Sequence, residues 1–305
     1  MLAVEAVGIS KMYGSKRGVI DLNMEVKQGE VFGFIGPNGA GKSTTIRMIM
    51  QLLYPTKGKL SVLGTMLDKE RPGLRKRIGY LPSEVISYPK MSGKQVLELT
   101  ARAYGLKLED TLAMEYADRL QWNPNQKIKS YSLGNRKKLG LILALMHRPD
   151  LLILDEPTSG LDPLVQRELF VLLSDLNKKE GMTIFYSTHV LSEVEKLCER
   201  VAFIREGQLL RVSRLDDLSH DRTHKVSVQF ETAGDHIDAY GLRELDPDVT
   251  FDGSHHFLQT GESLQAALSK LSQLPIVDLT IRRPTIEELF MDDYRIDAEE
   301  GGERA

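Results

Sequence analysis

Short runs of β-branched and aliphatic residues alternate with segments of helical period along the first two hundred positions. Val31–Ile35, Leu151–Leu154 and Thr183–Ser187 are brief and largely apolar, which predicts strands buried on both faces of a sheet. The first of these runs into a Gly-rich turn, Gly36 to Gly41, and then a helix predicted from Lys42 to Leu53, with Pro55 ending it. Such alternation predicts an α/β architecture, a mostly parallel sheet covered by helices. Between Pro82 and Pro149 the strand signals stop. Val96, Leu99 and Ala103, at spacings of three and four, predict an apolar helix face within a helical subdomain over about 83–148. Near Arg222 the pattern changes again: Val226, Val228 and Phe230 alternate as in a half-buried strand, and an amphipathic helix is expected near Leu264 to Leu274. The predicted organisation is a large domain over 1–222, a small C-terminal α+β domain over 223–294, and a disordered tail over 295–305, which is acidic and Gly-rich with nothing to bury.

Composition narrows the function classes. The chain has 305 residues, 41% apolar and 27% charged, ordinary values for a folded globular protein. Its net charge of -3 provides no global basic field to hold nucleic acid by counterion release, so no nucleic acid partner is expected. Cys198 is the single cysteine, which excludes an intrachain disulfide framework, fits a reducing compartment and reads as a buried thiol on a helix. Met1 to Ser10 lacks a basic leader with an apolar stretch. No apolar run reaches the roughly 18 residues of a membrane span, so the expectation is a soluble chain whose membrane role is borrowed from a partner. His255 and His256, being adjacent, would face opposite sides of a strand, and the seven histidines suggest no metal set.

The chemistry is concentrated in two segments. Gly36-Pro-Asn-Gly-Ala-Gly-Lys-Ser43 fits G-x-x-x-x-G-K-[ST] between a strand and a helix. In that loop Gly36, Gly39 and Gly41 let the backbone curl, so that successive N–H groups, from Asn38 and Ala40 through Thr44, point inward at phosphate oxygens, while Pro37, which has no N–H, contributes only shape. Lys42 would reach the β- and γ-phosphates of ATP, and Ser43 would ligate Mg2+. The strand Leu151–Leu154 ends in Asp155 and Glu156. A turn or helix cap would use such a pair too, but a strand ending beside the phosphate loop would deliver Asp155 to the magnesium shell and Glu156 to the attacking water.

These residues and their neighbours resemble the nucleotide-binding domain of ABC transporters over roughly Leu2 to Leu218. Leu154-Asp-Glu-Pro-Thr-Ser-Gly-Leu-Asp162 is similar to that family's magnesium strand and following loop, so a P-loop NTPase fold of the ABC type is implied. The resemblance makes Tyr131-Ser-Leu-Gly-Asn135 the signature segment, with Ser132 and Gly134 binding the γ-phosphate held by a second copy. Leu133 and Asn135 depart from the usual Gly and Gln. Arg136, Lys137 and Lys138 then read either as a solvated face or as charges beside phosphate. The resemblance further implies His189 as the switch histidine, Tyr13 as the aromatic stacking on adenine, and Ser83 as a magnesium-side residue where the family carries glutamine, with Glu84 an alternative. A head-to-tail dimer of two copies follows, since one chain cannot complete its own site. The resemblance also implies a separate transmembrane permease docking against Tyr88, Met91 and Val96, and a location on the inner face of the cell membrane. The C-terminal segment, ending Pro284-Thr-Ile-Glu-Glu-Leu-Phe290, resembles the extension of bacterial drug, lipid or polysaccharide exporters. A soluble non-transport ATPase and a weakly hydrolysing ATP switch stay open as alternatives, and the sequence names no cargo.

Overall fold

The computed structural model describes residues 1–14, 16–85, 88–219, 224–232, 234–260 and 264–284. The expected boundary at Arg222, the tail over 295–305 and Thr285 to Phe290 lie outside these. The chain divides into two compact units, Met1–Leu215 and Asp216–Ala305.

The first unit holds strands β1 (Leu2–Tyr13), β2 (Lys16–Lys27), β3 (Val31–Ile35), β4 (Lys57–Val62), β5 (Thr65–Met66), β6 (Ile78–Leu81), β7 (Leu151–Asp155), β8 (Thr183–Thr188), β9 (Arg200–Arg205) and β10 (Gln208–Arg214). Its helices are α1 (Lys42–Ile49), α2 (Pro72–Arg75), α3 (Gly93–Tyr104), α4 (Ala113–Arg119), α5 (Leu133–Leu145), α6 (Pro163–Glu180) and α7 (Leu191–Leu197). An antiparallel sheet has the order β2-β1-β4-β5, and a second has the order β10-β9-β3-β8-β7-β6. In the second, β3, β6, β7, β8 and β9 run parallel and only β10 is reversed. Every residue of β3, β7 and β8 is buried, the state that continuous apolar runs encode. Each fully buried aliphatic or aromatic side chain there contributes about 1.5–3 kcal/mol.

The register aligns the strand ends. Ile35 stands opposite Thr188, Asp155 opposite Ser187, and Leu81 opposite Leu154. Four loops therefore leave the same edge of the sheet, the carboxyl edge at which open α/β sheets bind ligands.

Three local expectations are corrected. The helix after the Gly-rich turn ends at Ile49, not Leu53, because Gln51 turns left-handed with φ 55°. That turn is tied down from outside the helix: the Gln51 amide accepts from Arg71 N–H at 3.1 Å and donates to the Lys69 carbonyl at 3.2 Å. In α3, Ser92 and Gln95 form a reciprocal cap and Gly105 closes the other end, as capping physics favours. Its buried face is Gly93, Val96, Leu97 and Ala101, whereas Leu99 is 45% exposed and Ala103 lies on the exposed side. The i, i+4 row from Gly93 faces the neighbouring aromatics, and Trp122 and Tyr131 leave no room for a β-carbon at 93. Cys198 follows α7 rather than lying in it; it is buried, and burial pushes its thiol well above the ordinary range.

The second unit begins at Asp216, the second residue of α8 (Leu215–Ser219), and contains β11 (His224–Phe230), β12 (Thr250–Phe251), β13 (His256–Thr260), α9 (Leu264–Leu271) and β14 (Ile276–Arg282). The strands form an antiparallel sheet in the order β12-β13-β11-β14. Val226, Val228 and Phe230 all face its core, with Leu242, Leu258 and Leu271. The predicted helix to Leu274 stops at Leu271, just ahead of the turn preceding Pro275.

Candidate functional site

The turn after β3 is shaped by two glycines. A β-carbon at Gly36 would stand 2.2 Å from the Ile204 carbonyl oxygen, so the loop leaves the sheet along a path only glycine permits. Gly41 caps α1 at φ 111°, a conformation that strains any other residue. Between them, Ala40 N–H donates to the Pro37 carbonyl at 3.1 Å and closes the turn. The first N–H groups of α1 have no partner inside the helix, and its positive end favours an anion there.

Around this turn lies a cleft of ≈ 340 Å³ lined by Tyr13, Gly18, Pro37, Asn38, Gly39, Gly41, Lys42, Ser43, Thr44, Ser83, Asp155 and Glu156. Gly36 and Ala40 form its backing rather than its wall. Lys42 is buried, and its ammonium donates to the carbonyls of Gly36 at 2.6 Å and Pro37 at 3.3 Å. It also ion-pairs with Glu156 Oε1 at 3.3 Å, without an aligned hydrogen bond. Ser43 Oγ donates to Asp155 Oδ2 at 3.2 Å, and Ser187 Oγ donates to Asp155 Oδ1 at 3.4 Å. Burial pushes the Asp155 carboxyl above the ordinary value; the Ser43 hydroxyl and Lys42 pull it back, while Glu156 adds to the rise.

Glu156 is the centre of the arrangement. Its side chain, 15% exposed, accepts from His189 Nδ1 at 2.8 Å through Oε2. An ionised carboxylate can only accept, so Nδ1 carries the proton in this pair. Glu156 also has φ 49°, a left-handed backbone that costs a non-glycine residue about 1–2 kcal/mol. Its N–H donates to the Ser187 carbonyl at 2.9 Å, and its carbonyl accepts from Lys137 Nζ at 3.1 Å. Held strain of this kind concentrates at functional sites. The segments carrying Glu156 and His189 are further joined by buried Glu193 on α7, whose carboxylate accepts from the hydroxyls of Thr158, Tyr186 and Thr188.

The signature residues lie elsewhere in the unit. Ser132 caps α5, accepting from Asn135 N–H at 3.3 Å, so the helix starts at Leu133. A β-carbon built at Gly134 would sit in ordinary van der Waals contact with Val165, Leu161 and Ser132, at 3.8–3.9 Å. Neither residue lines the cleft of its own chain. Leu133 is 47% exposed.

Of the three basic residues after the signature segment, Arg136 is exposed, Lys138 is half-buried and Lys137 is buried. Arg136 donates to the Tyr131 carbonyl, and Lys138 pairs with Glu168 at 2.8 Å. Lys137 is 4% exposed and donates to the Ser83 carbonyl at 2.6 Å. Burial pushes its ammonium below the ordinary lysine value, against Asp155, Glu156 and Glu84, which pull it up. Of the apolar trio after Ser83, Tyr88 is exposed and Met91 half-buried, but Val96 is buried in the helical segment. Gly18 had no sequence signal; a β-carbon there would meet the Tyr13 ring at 2.8 Å, so its absence keeps the ring where it is.

Among described residues, no group of three or more His, Cys, Asp or Glu side chains could hold a metal ion by itself. Ser43 and Asp155 offer two adjacent hard oxygens, the donor type and number magnesium takes from a protein when phosphates supply the rest.

Comparison with known proteins places the chain in a family. Residues 19–159 match the family described as ABC transporter. The bacitracin transport ATP-binding protein BcrA of Bacillus licheniformis is 33% identical over 300 residues, 94% of this chain and 96% of that protein. The linearmycin resistance ATP-binding protein LnrL of Bacillus subtilis is 31% identical over 306 residues, 95% and 97% of the two chains. The solved dimeric ABC transporter cassette MJ0796 superposes with a TM-score of 0.65 at 22% identity, over 70% of this chain and 98% of that one, which bears on the fold.

Proposed function

The chain belongs to the family of ABC transporter ATP-binding proteins, and from that premise we propose how its residues divide the work of binding and hydrolysing ATP. It is the ATP-hydrolysing subunit of an ABC transporter. The backbone N–H groups of Gly39 and of Gly41 to Thr44 and the Lys42 ammonium hold the triphosphate, with Gly36, Pro37, Asn38 and Ala40 shaping the loop. Tyr13 stacks on the base, contact that any purine ring can accept. Ser43 and Asp155 would hold Mg2+, with Ser83 on the same side of the cleft, and the ion would neutralise phosphate charge. Glu156 takes the proton as water attacks the γ-phosphorus and the bond to the ADP oxygen breaks. His189 orients Glu156 and the water. Ser132 and Gly134 of a second copy, docked head-to-tail, complete each site.

The observation that carries this reading is the convergence of Lys42, Ser43, Asp155, Glu156 and His189 on one sheet edge, with Glu156 2.8 Å from His189 and 3.3 Å from Lys42. No helix among the described residues is long and apolar enough to cross a membrane, which supports a peripheral subunit at the inner face of the membrane with a separate permease. BcrA is a bacitracin transport protein and LnrL a linearmycin resistance protein, which favours export of an antibiotic. The second unit is an accessory module in dimerisation or regulation.

Phosphate release from purified protein with Mg-ATP tests the assignment. Activity is expected in the wild type and lost in Lys42→Ala and Glu156→Gln, and Glu156→Gln should dimerise on adding ATP. Equal rates in all three proteins, or a monomer by light scattering at saturating ATP, would overturn it.

A further inference from the structure

One buried cation is left without a role in the scheme above. Lys137 lies on α5, five positions beyond the Ser132 cap, and outside the residues that line the cleft. Its ammonium donates to Ser83 O at 2.6 Å and Glu156 O at 3.1 Å, with Pro82 O at 3.5 Å. An ammonium has three donors, and here three carbonyls face it, with no carboxylate at hydrogen-bond distance. These acceptors belong to the loops leaving β6 and β7, the same loops that place Ser83 and Glu156 on the cleft. A charged donor binds such carbonyls more strongly than a neutral one, which is a reason to bury a lysine where a leucine would pack at less cost.

We propose that Lys137 is a positioning residue for hydrolysis, fixing the left-handed peptide of Glu156 and the Ser83 loop to the helix that carries Ser132. The inference rests on the site assignment given above. Glu156 has its N–H held by Ser187 and its carbonyl by Lys137. With both flanking peptides pinned at φ 49°, the direction of its side chain is set. Removing the ammonium frees one side of that clamp, and the carboxylate relaxes away from the water it must deprotonate. A second consequence follows from the other end of the same side chain. Any shift of the Glu156 peptide during turnover must drag α5 or break the Lys137 bond. Ser132 at the start of α5 serves the neighbouring copy's nucleotide, so Lys137 transmits the state of one site to the other as a coupling between sites.

The experiment compares wild type, Lys137→Gln and Lys137→Met as full chains, reading phosphate release against Mg-ATP, binding of a fluorescent ATP analogue, and thermal midpoint. Met keeps the length and removes every donor; Gln keeps a shorter neutral donor. The expected order of kcat is wild type, then Gln, then Met, with Met down about tenfold or more. Analogue affinity stays within about twofold, since Lys137 does not touch the cleft, and the Hill coefficient falls from above 1 toward 1. A packing role alone would lower the thermal midpoint and leave rate and cooperativity of the folded protein intact. Wild-type kcat and Hill coefficient in folded Met overturns the inference, as does the same result in Gln should Met not fold. A wild type that shows neither ATP-dependent dimer nor cooperativity would instead remove the shared site itself, and this coupling with it.

Discussion

Lys42, the lysine proposed to bind phosphate, is engaged by the proposed base. Lys42 and Glu156 are 3.3 Å apart, with side chains 6% and 15% exposed. At an effective dielectric near 20 two unit charges at that distance attract by about 5 kcal/mol, an upper bound before desolvation. Their contact lacks an aligned hydrogen bond, and both groups have lost water, so the net value falls to about 1–2 kcal/mol. A triphosphate must draw Lys42 away from this partner and accept the repulsion of the Glu156 carboxylate as well. Glu156→Gln removes both penalties and keeps the shape. ATP affinity should therefore rise about five- to thirtyfold, the equivalent of 1–2 kcal/mol, while hydrolysis falls by about 10²–10⁴ as general-base catalysis is lost. The assay is titration of a fluorescent ATP analogue in EDTA at nanomolar protein, where neither hydrolysis nor dimer closure contributes. Added salt should change the difference little, because the pair is shielded from solvent. If Glu156→Gln binds the analogue no more tightly than the wild type, the competition between carboxylate and phosphate for Lys42 is refuted.

Three further outcomes are expected. Burial raises the Asp155 carboxyl above 3.8, so between that value and the raised one the folded chain binds more protons than the unfolded chain, and stability falls as pH rises through the window. Ionised Asp155 is then a cost at pH 7: metal-free Asp155→Asn should melt at or above the wild-type temperature while losing ATPase activity, and a lower midpoint by calorimetry would contradict this. Glu193→Ala leaves three buried hydroxyls without their shared acceptor and should cost about 3–5 kcal/mol, or roughly 10 °C in the first melting transition; a shift under about 2 °C would show that the network carries no weight. In the second unit, burial lowers His256 below 6.5, and its Nε2 accepts from His236 N–H at 3.0 Å. The unfolded chain takes the proton first, so this contribution is complete above about pH 6.5 and is lost as pH falls. Amide exchange over 224–260 should accelerate at pH 5 relative to pH 7 after correction for intrinsic rates, and equal protection would count against it.

What could be read from the sequence was whatever acts through neighbouring residues. Gly36 to Thr44 encode a turn, a cap and a helix start within nine positions, so the phosphate loop is visible without a fold. Asp155 and Glu156 were legible because a buried strand announces its own end. Their pairing with Ser43 and His189 required the register of β3, β7 and β8, and the family resemblance supplied what the pattern did not. Lys137 was invisible as a clamp: Ser83 is 54 positions away, and a lysine beside Arg136 and Lys138 looks like any charged surface. Gly18 was missed because its purpose is the room it leaves for Tyr13. In α3 the periodicity gave the helix but the wrong face, since Leu99 and Ala103 fit an apolar stripe as well as Leu97 and Ala101 do. The side chains of Trp122 and Tyr131, pressed against Gly93, decide between them.

The same contrast explains why the carboxylates, and not the glycines, carry the switching burden of the site. Gly36 and Gly41 leave no room for a β-carbon beside the Ile204 and Gly18 carbonyls, so they set the path of the loop and hold no group that a ligand could displace. Glu156 instead sits in a conformation its own backbone disfavours, held by four separate partners: Ser187, Lys137, His189 and Lys42. Of these, Lys42 is the partner that phosphate would recruit, so binding loosens one restraint while leaving the peptide clamp in place. A carboxylate released on one side and pinned on the other can turn toward water without losing its position on the strand end. That combination requires the lysine of the phosphate loop and the lysine of α5 to do different jobs on the same residue.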